Sequence, residues 1–366
     1  MQQANHESGK KFIGYVVMAK HLTAWRNGVE TPWLKEAPVH PLQHALKDLE
    51  KAYQNFFANR ADFPCFKRKG SGDRFRYPDP KQIKLDQGNS RLFLPKFGWI
   101  RYRNSREVLG ELCNVTVSSS GGKWFVSTQT QREVGRPVPT ATTAIGIDLG
   151  IARFATFSDG SYLATLNSFK TKAAKLAKYQ RRMAHKQKFS HNWKKAKARV
   201  QKIHTQIANA RRDFLHKATT TISQNHAVVF IEDLQVRNMS QSAAGTAENS
   251  GKHVAQKSGL NKTILDQGWG EFRQQLGYKM TWNGGMLFAV PPHYTSQTCP
   301  CCGHVSKDNR QTQARFACVK CGYENHADVV GAINVLERGH RLLACGEDAL
   351  SASMKQKPTE AIQLSG

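Results

Sequence analysis

The sequence predicts an α/β fold with a small cysteine-rich module inserted before its last helix, the whole preceded by a helical lobe and a small β-barrel. Three observations predict it. An apolar strand, "TAIGIDLG", carries Asp148 in its middle, and a second, "AVVFIEDL", runs through five apolar residues from Ala227 to Ile231 before reaching Glu232. An uninterrupted apolar run of that length fits a central strand covered on both faces. Near the C-terminus, two C-x-x-C pairs precede the amphipathic stretch "HADVVGAINVLERG".

Taken in order, the stretch from about Lys11 to Asn59 is helical. In "HPLQHALKDLEKAYQNFF", Leu42, Leu46, Leu49, Tyr53 and Phe56 fall on one stripe at three- and four-residue steps, the spacing of an amphipathic core helix. From "FPCFKRKG" to "STQTQ" the texture changes to short alternating runs, "RLFLPKFGWIRYR", "NVTVSSS" and "KWFVSTQT", separated by Gly, Pro and Asn. That is the pattern of a small barrel or sheet. "VGRPVPTATT" reads as a linker. A β-hairpin around "GIDLG", a long basic helical region from about Ser168 to Asn225 and the strand "AVVFIEDL" follow. The Ser/Ala/Gly-rich "SQSAAGTAENSG" is expected to be a mobile loop. A helix "WGEFRQQLGYKMTWNG", a strand "MLFAVPP", the cysteine module and a last helix complete the core, and a polar tail lies beyond Arg341.

Charge restricts the partners. The 366-residue chain carries 54 Lys plus Arg against 27 Asp plus Glu, a formal net charge of +27. Such an imbalance is foreign to most metabolic enzymes and calls for a polyanion, nucleic acid first. No apolar run approaches the ~18 to 20 residues of a spanning helix and no signal peptide opens the chain, so a soluble, intracellular protein is expected. Between Leu166 and Lys217 there are 16 Lys or Arg and one acid, Asp213. There Trp193, Ala196, Val200, Ile203, Ile207, Ala210, Phe214 and Ala218 make one apolar stripe, leaving the cations on the other faces. Lys178, Arg181, Arg182, Lys186, Lys194, Lys195, Lys197, Arg199, Arg211 and Arg212 are the candidate nucleic-acid contacts. A merely solvated face is the competing reading, but like charges so dense repel one another unless phosphates neutralise them.

A carboxylate in a strand core costs several kcal/mol unless it is paired or metal-bound. Asp148 therefore needs partners, unless it marks a tight turn or the phosphate-binding hairpin of an actin-like ATPase. Glu232 is the second candidate. Alternation sends Glu232 and Asp233 to opposite faces, so only one of them can share a site with Asp148; Glu232 is assigned to it and Asp233 to a cap or loop hydrogen bond. Asp328, which opens the last helix, is the third, although an N-terminal aspartate is often only a cap worth ~1 kcal/mol. Together the three have a chemistry. Closely placed acidic oxygens can hold two Mg²⁺ ions roughly 3.5 to 4 Å apart, one activating water and one stabilising the leaving oxygen. A strand Asp, a strand-end Glu and a helix Asp, in that order, are the pattern of an RNase H-like nuclease. The ATPase reading would require later Gly-rich nucleotide-binding segments, which the sequence lacks.

In the cysteine module, Cys299 and Cys302 are followed by fifteen residues and then by Cys318 and Cys321. Each C-x-x-C-G presents two thiolates from one knuckle, and two knuckles make a tetrahedral zinc site with no open position, hence a structural one. Cys301 leaves a Cys301–Cys318 arrangement possible, but Cys302 keeps the knuckle spacing and its following Gly. Cys65, Cys113 and Cys345 read as ordinary buried or isolated cysteines.

Taken together, these segments resemble a known family. "PLQHALKDLEKAYQNFFANRADFPCFKRKG", "GIDLGIARFATFSDG", "RRDFLHK" with "VVFIEDLQVRNMS", "YTSQTCPCCGHV" and "CVKCGYENHADVVGAINVLERG", in this order from about Trp33 to Gly339, look like the TnpB proteins of bacterial insertion sequences, relatives of type V CRISPR effectors. The resemblance implies a transposon-encoded, RNA-guided, Mg²⁺-dependent DNA endonuclease with a RuvC-like domain. Its partners would be a guide RNA encoded near the element and a target DNA, with no membrane and no small-molecule substrate, in a bacterial cytoplasm on the nucleoid. The matching catalytic, magnesium-binding acids would be Asp148, Glu232 and Asp328. The implied layout is a recognition-like helical lobe (1–60), a wedge-like barrel (61–138), a RuvC-like domain (139–292 and 325–340) interrupted by a zinc ribbon (293–324), and a polar tail (341–366). In such systems base pairing reads sequence while the protein reads backbone shape and a short adjacent motif.

Two features depart from the family's pattern: the usual opening strand and helix ahead of the region near Phe12 are absent, and Val330 stands where many members carry Asn. The alternative function is therefore a compromised or truncated member that only binds nucleic acid. A transposase that itself joins DNA ends is disfavoured, because no tyrosine nucleophile motif is found.

Overall fold

The computed structural model describes residues 2–9, 11–67, 72–135, 137–246 and 249–344, and the chain divides after Glu133 into two units. Cys345 and most of the polar tail lie outside the described residues.

In the first unit, the region expected to be helical from Lys11 to Asn59 is broken into pieces. After α1 (Gln2–Glu7) come α2 (Tyr15–Asn27), a single 3₁₀ turn (Pro32–Lys35) and α3 (Val39–Phe57). Gly28 ends α2, and Pro32 and Pro38, lacking N–H groups, cannot continue a helix. The Tyr15 N–H donates to Glu50 Oε1 at 2.7 Å, a cap that Gly14 cannot provide from its own side chain. Of the predicted stripe only Tyr53 is fully buried, with the rings of Phe12, Phe57 and Phe63 packed around it.

The alternating segment forms β1 (Arg74–Tyr77), β2 (Lys84–Asp86), β3 (Arg91–Leu94), β4 (Gly98–Arg101), β5 (Glu111–Ser120) and β6 (Lys123–Gln131). They pair as two three-stranded antiparallel sheets, β1-β5-β6 and β2-β3-β4. Both sheets share one core of Tyr77, Ile83, Leu92, Leu94, Val115 and Val117. Among the described residues no strand pairing joins the two sheets, so the expected barrel is not closed. Gly121 and Gly122, both at positive φ, make the tight hairpin between β5 and β6.

The second unit is built on β7 (Ala144–Asp148), β8 (Arg153–Phe157), β9 (Tyr162–Ala164), β10 (Val228–Glu232) and β11 (Met286–Val290). Their order is β11-β10-β7-β8-β9; the first three are parallel, and β8 and β9 are antiparallel. α4 (Ser168–Ala184) and α5 (His191–Asn225) connect β9 to β10. After β10 come α6 (Val236–Met239), α7 (Val254–Gln267) and α8 (Trp269–Trp282). On one face, Ile145, Ile147, Val229 and Ile231 pack with Leu215, Ile222, Phe272 and Leu276 of α5 and α8. On the other face lies the last helix, which follows the short strands β12 (Arg315–Ala317) and β13 (Glu324–His326). This is α9 (Ala327–Ala344), whose Val335 meets Phe230 and Val290.

The Ser/Ala/Gly-rich stretch read as a mobile loop holds a Gly245–Ser250 bridge. It is tied to α7 by Asn261 Nδ2 donating to Ser240 O and Gln241 O, and Lys257 Nζ donates to Met239 O just before it; residues 247–248 lie outside the described residues. The α4–α5 hairpin has its own core of Leu176, Val200, Ile203 and Ile207, the last three on the apolar stripe expected from the sequence. Among the described residues no helix is long and apolar enough to cross a membrane.

The α9 face is set by glycine. A Cβ on Gly146 would lie 2.2 Å from Ala332 O and 2.7 Å from Leu336 N, backbone atoms that cannot swing aside. Gly146→Ala should therefore destabilise the protein by about 3 kcal/mol, the upper end of overpacking costs. A chemical denaturation midpoint unchanged from wild type would contradict this packing.

Candidate active site and cysteine module

Parity decides which side chains meet. In β7, Gly146 faces α9 while Ile145 and Ile147 face the α5/α8 core, so Asp148 also faces α9. In β10, Phe230 faces α9 and Val229 and Ile231 face the core, so Glu232 joins Asp148. The parallel register pairs Phe230 with Gly146 and Ile231 with Ile147. One step further brings Glu232 abreast of Asp148, about 4.8 Å away at the backbone. Asp233 points the other way and pairs with Arg273 of α8.

Asp328 enters from the first turn of α9. Its carboxylate lies 3.6 Å from Arg310 and 3.9 Å from His326, so its contacts are side chains rather than the cap considered above. Gly331, one turn on, leaves room for Asp148: a Cβ there would sit a tight 3.2 Å from Asp148 Oδ2.

Electrostatics tie the three acids together. Burial, then the charges of Glu232 and Asp328, push Asp148 up to about 8, and Arg310 only partly offsets them. Burial also raises Glu232, which is 8% exposed; a 2.7 Å hydrogen bond from the Thr295 hydroxyl, with Arg338 and Arg310, holds the shift back. The donors are all hard oxygens and the local cations do not balance them. That chemistry fits divalent cations such as Mg²⁺.

A stability consequence follows with a definite sign. The folded state holds the Asp148 proton more tightly than the unfolded chain does. Metal-free stability should therefore fall as pH rises from the ordinary value of 3.8 to about 8, by on the order of several kcal/mol at the limit. In thermal melts with chelator, wild type should lose roughly ten degrees or more relative to Asp148→Asn across this interval, at ~2–4 °C per kcal/mol, and Mg²⁺ should restore them. Parallel pH profiles for the two proteins would show that Asp148 is not so perturbed.

The cysteine module builds a second candidate metal centre. Sγ atoms of Cys299, Cys302, Cys318 and Cys321 all lie within 4.8 Å of one another. Cys299–Cys321 and Cys302–Cys318 are each 3.6 Å apart, close to the roughly 3.8 Å edge of a tetrahedron with Zn–S bonds of about 2.3 Å. The knuckles repeat one pattern: Gly303 N donates to Cys299 O and Cys299 N to His304 O, and Gly322 N donates to Cys318 O and Cys318 N to Tyr323 O. Gly303 and Gly322 both take positive φ, which a Cβ would strain. Cys301 is exposed and outside the cluster, so the Cys301–Cys318 arrangement does not form. Cys113 is half-buried and Cys65 exposed.

Fully buried Asn309 joins the knuckles, donating to Gln297 O and His304 O and accepting from Val319 N. The next residue is Arg310, so the module that gathers four thiols also delivers a guanidinium to Asp328. Sequence reasoning missed Arg310, Thr295 and Arg338. Each is a polar residue in a loop or on an exposed helix face, with no periodicity or spacing to single it out.

Of the candidate nucleic-acid contacts, Lys178, Arg181, Arg182, Lys186, Lys194, Lys195, Lys197, Arg199 and Arg212 are exposed along α4, α5 and their connection. Arg212 is partly engaged by Glu271. Arg211 differs: it is half-buried, donates to Leu265 O and lies 3.8 Å from Asp266, so its guanidinium is committed to holding α7.

Comparisons with known proteins converge on this region. Residues 115–243 match the IS605 OrfB family, described as "Probable transposase", and residues 269–335 match the Cas12f1-like TNB domain. The chain is 55% identical over 363 residues to the "Putative RNA-guided DNA endonuclease InsQ" of Escherichia coli K12, covering 99% of this chain and 90% of that relative. It is 33% identical to a protein of the same description from Streptomyces pristinaespiralis, covering 95% and 86%. Among solved structures, a Cas12f1–sgRNA–target DNA complex aligns with a TM-score of 0.45 at 15% identity, over 81% of this chain and 70% of that one.

Proposed function

This chain belongs to the TnpB family, and from that premise we propose that it is an RNA-guided DNA endonuclease encoded by a transposable element. The observation that carries the proposal is the convergence of Asp148, Glu232 and Asp328 at the face of β7 and β10 covered by α9, with Asp148 raised to about 8 by burial and by the other two. These three would hold catalytic Mg²⁺. Two such ions, when bound, supply an activated water and charge stabilisation for an in-line displacement at phosphorus.

The chain's own residues do the rest. Thr295 orients Glu232 by its hydrogen bond. Arg310 contributes a fixed positive charge beside Asp328, suited to stabilising charge that develops on a phosphate. The exposed lysines and arginines of α4 and α5 give a phosphate-binding surface. Cys299, Cys302, Cys318 and Cys321 would hold a structural zinc. We assign the lobe (1–60) and the sheet region (61–138) to guide-RNA and heteroduplex binding, and place the protein in the bacterial cytoplasm on the nucleoid.

The test is to sequence the RNA that co-purifies with the chain. A discrete structured RNA ending in a variable 3′ guide is expected, and the reconstituted complex should cut a DNA matching that guide in Mg²⁺ but not in EDTA. Only random cellular RNA, with no guide-dependent cutting, would leave a protein that merely binds nucleic acid.

A further inference from the structure

Residues 291–298, between β11 and the first knuckle, are held by hydrogen bonds to β10 and α9. The Thr295 hydroxyl donates to Glu232, and Asn334 Nδ2 of α9 donates to Thr295 O and Thr298 O, each at 2.7 Å. Arg338 of α9 donates to Pro291 O and His293 O. In the middle sits Tyr294, with φ +60°, a conformation that favours Gly or Asn and is costly for an aromatic residue. The segment accepts that cost while the ring gains no burial: Tyr294 is 61% exposed, and among the described residues no ring stacks on it. Its carbonyl is well used, accepting from Gln297 N, Thr298 N and the Thr298 hydroxyl. The backbone is thus rigid and the side chain free.

We propose that Tyr294 is a stacking platform for an unpaired base of the strand being cut, fixing the nucleotide next to the phosphodiester at Asp148, Glu232 and Asp328. The occupant follows from the surroundings. The carboxylates act on a phosphodiester, the chain's net charge of +27 favours a polyanion, and an exposed ring offers every base a π-face without reading its identity. Tyr294 immediately precedes Thr295, whose hydroxyl donates to Glu232, so the proposal places a base on the ring beside the acids. The inference rests on the nuclease reading above for the meaning of the site, but the stack itself can be measured without cutting.

Full-length Asp148→Asn chain, with its co-purifying RNA, is irradiated with single-stranded DNA carrying 5-iododeoxyuridine, which joins to stacked aromatic side chains. Peptide mass spectrometry should place an adduct on Tyr294, and Tyr294→Asn, which tolerates the left-handed backbone but lacks the ring, should lose it. In the otherwise wild-type complex Tyr294→Asn should raise the apparent KM for the cut strand about ten-fold, the effect of one lost base–aromatic stack, while Tyr294→Phe and Tyr294→Trp restore it. DNA that crosslinks elsewhere but not at Tyr294, or a wild-type KM in Tyr294→Asn, overturns the proposal. An adduct on Tyr294 with no cutting by the wild-type complex upholds the stack and removes the nuclease reading instead.

Discussion

Asp148→Asn is expected to slow guide-directed cutting by at least about three orders of magnitude, with nucleic-acid binding and the thiol cluster intact. Asparagine keeps the shape that fits over Gly331, where an added Cβ would come within 3.2 Å of the carboxylate, but removes the charge that would bind metal. Losing a carboxylate that would hold catalytic metal should remove several kcal/mol of transition-state stabilisation, and each 1.36 kcal/mol is tenfold in rate. The same substitution removes a buried charge, and with it the repulsion from Glu232 and Asp328, so the dead enzyme should be the more stable one in chelator at high pH. Loss of activity with a gain in metal-free stability separates an active-site carboxylate from a structural one. Cutting at the wild-type rate would sink the assignment.

The second large effect concerns Cys318→Ser. Cys318 is buried, and its Sγ lies 3.6 Å from that of Cys302. A hydroxyl in its place is a poor zinc ligand, and structural zinc can contribute on the order of 10 kcal/mol to folding a small module. About one zinc per chain should disappear from metal analysis, and the segment from Cys299 to Cys321 should become sensitive to proteolysis. Because Asn309 links the two knuckles and Arg310 follows it, the damage should reach the acids: cutting should fall even though Asp148, Glu232 and Asp328 are untouched. Cys301→Ser is the control, its thiol being exposed and outside the cluster, and should retain zinc. Full zinc content in Cys318→Ser would require other ligands.

Much of the second unit is legible in the sequence. The run Ala227–Ile231 had to be a covered strand, and its alternation separated Glu232 from Asp233. The structure places Asp233 on Arg273, away from Asp148. The paired C-x-x-C spacing required a compact thiol cluster, since knuckle geometry is local. The first unit is less legible. Residues 11–59 read as helical throughout, whereas Gly28, Pro32 and Pro38 impose three pieces, and alternation alone could not say whether six short strands close a barrel or form two sheets. Arg211 reads as a phosphate contact because its neighbours in sequence are basic, whereas α7 supplies Leu265 O and Asp266 to hold it.

By itself the sequence determined the chemical inventory: which strands carry acids, which thiols pair, where positive charge concentrates. Those are short-range properties, set by a period of two along a strand, a two-residue gap in a knuckle, or the composition of a helix face. Only the tertiary structure decided that the acids converge and which other groups reach them. Convergence depends on register between strands roughly eighty residues apart in the chain and on α9 lying flush against the sheet, where Gly146 and Gly331 leave room for backbone and carboxylate. Thr295 and Tyr294 are placed by anchors in α9 and β10 and Arg310 by Asn309 inside the cysteine module, and no local pattern records an anchor.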